Sequence, residues 1–130
     1  MSERRTPFDL AIGDVVIDCN RLEPVAAFWA AALGYERTWE DAQWAVLEPP
    51  KGATGMTLIL QLVPEVKSGK NRAHVDLRSD DMTAEVARLE ALGASTVRYV
   101  QERPDFYWTV MADPDGNEFC VAPRRAAEGG

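Results

Sequence analysis

The chain has 130 residues, of which 14 are basic and 21 are acidic, so its net charge is −7. This charge disfavours polyanionic partners, and we expect neither nucleic acid nor an anionic membrane surface to be bound. The length and the 46% of hydrophobic residues fit a single folded domain, and no apolar run is long enough to span a membrane. Two cysteines without a recognisable export signal indicate reduced thiols in a cytoplasmic protein.

The first half of the chain predicts a strand, a helix and three further strands. Hydrophobic residues alternate with polar ones from Asp14 to Cys19, which is typical of a strand. Apolar residues at helical spacing then run up to Leu33, and Gly34 is placed to end this helix. The next apolar segments predict strands at residues 35–39, 43–47 and 56–63.

The second half repeats this order after a polar linker at residues 64–71. It predicts a strand that contains His74, a helix that Asp80 or Asp81 can cap and that ends at Gly93, and three more strands. The boundaries of these five elements are 72–78, 82–92, 96–101, 106–112 and 118–122. A repeat of about half the chain is the strongest pattern in the sequence.

This order of elements predicts an α+β fold made of two βαβββ modules. We place a single domain at residues 9–123, with module one at about 9–66 and module two at about 71–123. Residues 1–8 and 124–130 are expected to form flexible tails, because chain ends without packing partners fray.

Strand parity predicts which side chains face away from the helices. Val15 should face the first helix, so Asp14 lies on the opposite face of its strand. The same reasoning puts His74 on the open face of the second sheet. This placement of His74 requires the loop before the second helix to be one residue longer than the loop before the first. Asp14 and His74 then occupy equivalent positions in the two modules. On this face we also expect Gln61, Glu118 and Cys120.

Five short motifs in a fixed order connect these patterns to a known family. They are Ala26-Ala27-Phe28-Trp29, Leu33-Gly34-Tyr35, His74 at the opening of module two, Leu89-Glu90-Ala91-Leu92-Gly93 and Asp113-Pro114-Asp115-Gly116-Asn117-Glu118-Phe119. Over about residues 10–123, the chain resembles the vicinal oxygen chelate superfamily of glyoxalase I, bleomycin-resistance proteins and extradiol dioxygenases, and within it the small glyoxalase-like subgroup. The resemblance implies two modules whose sheets cup a central cavity, and a homodimer that contributes to it.

The resemblance also assigns four metal-ligand positions. They fall on Asp14, Gln61 (Leu60 if the register slips), His74 and Cys120. Only His74 is a usual ligand in such sites, and the fourth position lacks the glutamate that moves the substrate proton in related enzymes. We therefore expect no tightly bound metal. The alternative is zinc, nickel, manganese or iron held by these four residues.

Each candidate side chain has a structural interpretation beside the functional one. His74 is either a ligand or a cavity histidine that is hydrogen-bonded to Asp76 or Asn71. Cys120 is either a nucleophile or a small buried residue. The basic residues of the linker are either an anion site or a solvated surface, and Arg72 is the one expected nearest the cavity. The other two are Lys67 and Lys70.

Aromatic residues have two interpretations as well. Trp29 lies on the first helix and is expected in the core. Trp44 and Trp108 lie in strands of opposite modules, where they either line the cavity for an aromatic ligand or fill the core.

The sequence thus predicts a cytoplasmic homodimer that binds a small organic molecule in the sheet cavity, as bleomycin-resistance proteins do. The competing hypothesis is an enzyme, either a metal-dependent lyase or isomerase, or a metal-free one that uses His74 as its acid or base. The sequence leaves open whether a reaction is catalysed and which molecule is bound. The expected ligand-binding residues are Asp14, Gln61, His74, Cys120, Arg72, Trp44 and Trp108.

Overall fold

A computed structural model describes residues 7–125 of the chain. The first module consists of β1 (Asp14–Cys19), α1 (Leu22–Leu33), β2 (Glu36–Glu40), β3 (Trp44–Glu48) and β4 (Thr57–Leu62). The second consists of β5 (Asp76–Ser79), α2 (Met82–Ala91), β6 (Ser95–Arg103), β7 (Phe106–Ala112) and β8 (Glu118–Pro123). Most of the tails predicted at residues 1–8 and 124–130 lies outside the described residues.

Each module folds its four strands into one sheet, in the order β1-β4-β3-β2 for the first and β5-β8-β7-β6 for the second. β1 runs parallel to β4 and β5 runs parallel to β8, and the remaining pairs are antiparallel. The prediction of an α+β fold with two βαβββ modules is therefore confirmed. Neither described helix is both long and apolar enough to cross a membrane.

The helix ends follow the local sequence. Gly34 ends α1 in the left-handed conformation, with φ of 68°, which glycine adopts without steric cost. At the start of α2 it is Asp81, and not Asp80, that caps the helix, because its side chain accepts a hydrogen bond of 3.0 Å from the backbone N–H of Ala84.

The prediction of an extra residue in the loop before the second helix is wrong. The loops before α1 and α2 have the same length, Asn20–Arg21 and Asp80–Asp81. The difference between the modules lies in the helices, since α1 has 12 residues and α2 has 10. Counted from the first residue of the following helix, Asp14 and His74 nevertheless occupy the same position.

β5 also begins later than predicted, at Asp76, so His74 precedes the strand. The first rung of the ladder is the bond from the backbone N–H of Cys120 to the carbonyl of Val75, at 3.0 Å. The next donor towards the start of β8 is the N–H of Glu118, and it donates to the side-chain oxygen of Asn71. Because this side chain replaces a strand carbonyl, the ladder does not extend back to residue 72.

A single core joins the two modules. The indole of Trp29 on α1 packs edge-on against Phe119 of β8, with ring centroids 5.0 Å apart, and Phe28 lies 6.0 Å from the same ring. Trp29 is 2% exposed, which confirms that it belongs to the core. The modules therefore share apolar contacts that neither could make alone.

The turn between β7 and β8, residues 113–117, is a second connection, and we call it the inter-module turn. Asp113 is buried and accepts a 3.0 Å hydrogen bond from the indole N–H of Trp29. Asp115 forms an ion pair with Arg21 in the loop before α1, and Asn117 donates to the carbonyl of Asp18. Side chains of module two thus hold the β1–α1 loop of module one.

Candidate functional site

The first open face is the face of the β1–β4 sheet that points away from α1. Val15 and Ile17 pack against the core, which leaves Asp14 and Asp18 on this face. The strand register places Asp18 beside Gln61, and Gln61 beside Trp44. Asp14, Gln61 and Trp44, three of the predicted binding residues, therefore share one surface.

Acidic residues dominate the first open face. Besides Asp14 and Asp18 it carries Glu36 and Glu48, which pair across β2 and β3. Among the strand residues that the structure describes, this face holds no lysine or arginine, because Arg37 points to the other side and binds Glu23 of α1.

Two indoles lie among these carboxylates. Trp39 is 55% exposed, and Trp44 is half-buried. The surface therefore offers negative charge next to one exposed and one half-buried indole, which is a combination that favours cationic organic molecules.

The second open face is the corresponding face of the β5–β8 sheet. Its central row runs from Asp76 through Cys120 and Val110 to Arg98. His74 stands two residues before Asp76 and lies on the same face, with Nε2 at 3.5 Å from an oxygen of Asp76. Of the two hydrogen-bond partners predicted for His74, the structure brings Asp76 close.

An aromatic and basic cluster occupies the far end of this face. Trp108 packs against Phe106 with ring centroids 5.1 Å apart, and the guanidinium of Arg103 lies 4.9 Å from the centre of the Phe106 ring. Together with Arg78 and Arg98, this cluster makes the second open face much more basic than the first.

Cys120 is 5% exposed, and burial raises the pKa of its thiol, to which the carboxylate of Asp76 adds. Burial and the carboxylate of Asp115 raise the pKa of Cys19 to about 11. Both side chains are therefore thiols at neutral pH, which favours the small buried residue over the nucleophile for Cys120.

Two cavities lie beside the linker and the segment before β5. One, of about 440 Å³, opens between β1 and the segment before β5. Of the seven predicted binding residues, His74 is the one that lines it. The other, of about 480 Å³, is bounded by the linker, where Lys67 and Lys70 lie among the carboxylates Asp18, Glu65 and Asp115. Of the two interpretations of these basic residues, the carboxylates favour the solvated surface over the anion site, and Arg72 lines neither cavity.

The donor atoms of His74, Asp76 and Cys120 all lie within 4.8 Å of one another. Among the residues that the structure describes, Asp14 does not belong to this group. Gln61 lies on the other sheet and offers only an amide, which is a poor zinc ligand. The four positions assigned by the resemblance are thus not brought together as one ligand shell within a single chain.

Sequence reasoning named Asp76 only as a hydrogen-bond partner and overlooked the acidic surface. Strand parity alone puts Asp14 and Asp18 on one face of β1, but Glu36 and Glu48 join them only through the pairing of β1 with β4, β4 with β3 and β3 with β2. These pairings are visible only in the folded chain.

Comparison with known proteins gives one matching family model, the glyoxalase-like domain, over residues 14–122. No curated protein matches the chain. Among solved structures, a glyoxalase-related enzyme from Fulvimarina pelagi is 21% identical, with a TM-score of 0.65 over 85% of this chain and 86% of that chain. The fosfomycin resistance protein FosX from Listeria monocytogenes has a TM-score of 0.74 at 11% identity, over 93% and 98%. Lactoylglutathione lyase from Agrobacterium tumefaciens is 20% identical, with a TM-score of 0.63 over 91% and 96%.

Proposed function

Because the chain belongs to the glyoxalase-like domain family, we propose that it binds a small cationic organic molecule on its first open face. The observation that carries this proposal is the first open face, on which four carboxylates surround two indoles. The protein then acts by binding its ligand, as bleomycin-resistance proteins do, and needs no tightly bound metal.

Charge and aromatic surface act together on such a ligand. Carboxylates on a face whose described strand residues include no lysine or arginine attract a cation, and the net charge of −7 extends this attraction beyond the face itself. Trp39 and Trp44 add cation–π contacts of about 0.5–1 kcal/mol each at exposed sites. Both effects weaken as salt is added, so the affinity should fall with ionic strength.

The proposed binding unit is a homodimer in the cytoplasm. Val16 and Trp39 on the first open face are 50% and 55% exposed, and Phe106 on the second is 44% exposed. A second copy that packs beside these residues can cover this apolar surface. Two free cysteines support a reducing compartment. A monomer in sedimentation at roughly tens of micromolar would count against the dimer.

Tryptophan fluorescence tests the ligand class. We expect bleomycin, which is cationic, to change the emission in a titratable way, and fosfomycin, an anionic phosphonate, to leave it unchanged. Asp18→Asn should weaken the bleomycin response. Asp80→Asn, the same change at an exposed position outside the open faces, should not. Equal effects of the two variants, or a response to fosfomycin alone, would contradict the proposal.

A second pair of variants tests the cavity. His74 lines the crevice beside β1, and His74→Ala should weaken the fluorescence response more than Lys51→Ala in the loop before β4. The same preparations should contain well under one equivalent of zinc, nickel, manganese or iron when purified without chelator. Stoichiometric metal that is lost in His74→Ala would refute the metal-free part of the proposal.

The competing function is an enzyme of the same family, and the specific observation in its favour is the approach of His74 to Asp76, at 3.5 Å. A carboxylate beside a histidine orients the ring for proton transfer. Turnover of lactoylglutathione by the wild type and by Lys51→Ala, but not by His74→Ala, would favour the enzyme over the binding protein.

A further inference from the structure

His74, Asp76 and Cys120 place three different metal-binding atoms in one small volume. The imidazole nitrogen, the carboxylate oxygen and the sulfur all lie within 4.8 Å of one another. The side chains of His74 and Asp76 are 39% and 45% exposed, whereas Cys120 is 5% exposed. The sulfur therefore forms the floor of the group and the other two donors its solvent-facing rim.

The parallel pairing of β5 with β8 holds these donors together. Asp76 is the register partner of Cys120, and the N–H of Cys120 bonds to the carbonyl of Val75. Since alternate residues share a face, Asp76 lies level with Cys120, and His74 lies two residues further back on the same face. β8 is an inner strand, with β7 on its other side, so the position of Cys120 is fixed by two neighbours.

The donor set suits a zinc-type cation. Zinc accepts thiolate, imidazole and carboxylate ligands at about 2.0–2.3 Å in a tetrahedron, which separates the donors by roughly 3.3–3.8 Å. The observed group has to contract by about 1 Å. Rotation of the two exposed side chains about their Cα–Cβ bonds can supply this movement without shifting the strands. A hard cation such as magnesium, which prefers oxygen ligands only, fits the set poorly.

Nearby cations limit the affinity. The guanidinium of Arg78 lies 3.9 Å from the second oxygen of Asp76, and Lys70 and Arg98 act on Cys120 through their charges. These positive groups oppose a divalent ion at the same place. The site should therefore exchange its metal with solution and not retain it through purification.

We infer that His74, Asp76 and Cys120 form an exchangeable site for a zinc-type cation, contained in module two, with its fourth position open to solvent. This ligand set is distinct from the four positions that the family resemblance assigns, because it uses Asp76 and needs neither Asp14 nor Gln61. It does not depend on the proposed binding of a cationic molecule, and either can fail without the other.

Cobalt and zinc titrations of full-length protein stripped with chelator test the inference. Cobalt should produce a thiolate-to-metal charge-transfer band in the near ultraviolet that saturates at one equivalent per chain, and zinc should abolish it by competition. Zinc affinity, measured against a chromogenic chelator, should fall roughly tenfold or more in Asp76→Asn and in Cys120→Ser. Absence of the cobalt–thiolate band in the wild type would overturn the inference.

Matched variants separate this set from the family-derived one. Asp14→Asn makes the same change as Asp76→Asn on the other sheet, and Cys19→Ser makes the same change as Cys120→Ser at the other buried cysteine. Both controls should bind zinc as the wild type does. An effect of Asp14→Asn equal to that of Asp76→Asn would show a site spanning the two sheets and would refute the inference.

The zinc affinity of Arg78→Gln distinguishes a direct charge effect from a loss of structure. Removal of the positive charge beside Asp76 should tighten zinc binding severalfold, whereas any loss of structure would weaken it. Unchanged or weaker binding in Arg78→Gln would mean that Asp76 is not a ligand. Circular dichroism of each variant confirms that the comparison is made between folded proteins.

Discussion

Asp113→Ala should destabilise the protein more than any other single change in the inter-module turn. The carboxylate accepts three hydrogen bonds: from the indole of Trp29 at 3.0 Å, from the N–H of Asp115 at 2.9 Å and from the N–H of Asn117 at 3.0 Å. Among the described residues, no buried side-chain nitrogen or oxygen lacks a partner. The substitution would leave the indole N–H of Trp29, a residue only 2% exposed, as such an atom.

The magnitude follows from these contacts. A buried donor left without a partner costs about 1–3 kcal/mol, and the two backbone donors, which are nearer solvent, add less because water can replace the carboxylate. Burial also raises the pKa of Asp113, so removal of a partly desolvated charge returns some free energy. We expect a net loss of about 3 kcal/mol in the free energy of unfolding. For a domain of this size that corresponds to a Tm lower by roughly 10 °C.

A double-mutant cycle, with each free energy of unfolding measured in urea, gives the interaction energy between Trp29 and Asp113. Trp29→Phe keeps most of the ring but removes the donor, so Asp113→Ala should cost about 1–2 kcal/mol less in the Trp29→Phe background than in the wild type. Asp113→Asn retains one oxygen and should fall between wild type and Asp113→Ala. Additivity of the two single changes to within about 0.5 kcal/mol would refute the account of the buried bond.

Two further predictions concern the contacts between the modules. Burial alone would raise the pKa of Asp115, but hydrogen bonds from the loop before α1, including those of Arg21, outweigh it and hold the pKa below its usual value. A carboxyl group whose pKa is lower in the folded than in the unfolded protein stabilises the fold at pH values above its unfolded pKa. This stabilisation is lost as the pH falls through the pKa of the folded state. Urea titrations from about pH 5 to pH 2 should therefore show a larger loss of stability in the wild type than in Asp115→Asn. The guanidinium of Arg88 donates to the carbonyl of Ala32 at the end of α1, at 2.7 Å. Arg88→Ala should lower the free energy of unfolding by about 1 kcal/mol, and more than Arg37→Ala, because the carboxylate partners of Arg37, Glu23 and Glu40, are exposed to solvent. A larger effect of Arg37→Ala would contradict this ranking.

Periodicity predicted the elements and the faces of the strands well. The bounds of β1 and β7 are those expected from the sequence, because alternation in β1 and a run of large residues before the Asp113–Gly116 turn mark both ends. Parity also placed Asp14 with Gln61, and His74 with Cys120, on one face of their own sheets. These relations depend on side-chain direction along a strand, which a sequence contains directly.

Relations between distant segments could not be predicted in the same way. Trp29 and Asp113 are 84 residues apart, and their contact depends on how one module docks against the other. The late start of β5 depends on one side chain, that of Asn71, which captures the N–H of Glu118. That Asp14 and Gln61 line the same cavity as His74 and Cys120 stays a prediction, because the two pairs lie on different sheets. None of these contacts has a periodic pattern in the sequence.

The bond between Trp29 and Asp113 also makes the two repeats unequal. Trp29 and Leu89 hold the same position in their helices, counted from Leu22 and Met82, but only the indole can donate a hydrogen bond. The acceptor comes from the turn of the other repeat. A protein assembled from two copies of module one would have two Trp29 indoles but no Asp113 carboxylate to accept their hydrogen bonds. One assembled from two copies of module two would have two Asp113 carboxylates but no indole donor. With respect to this buried bond, the two halves are therefore complementary and not interchangeable.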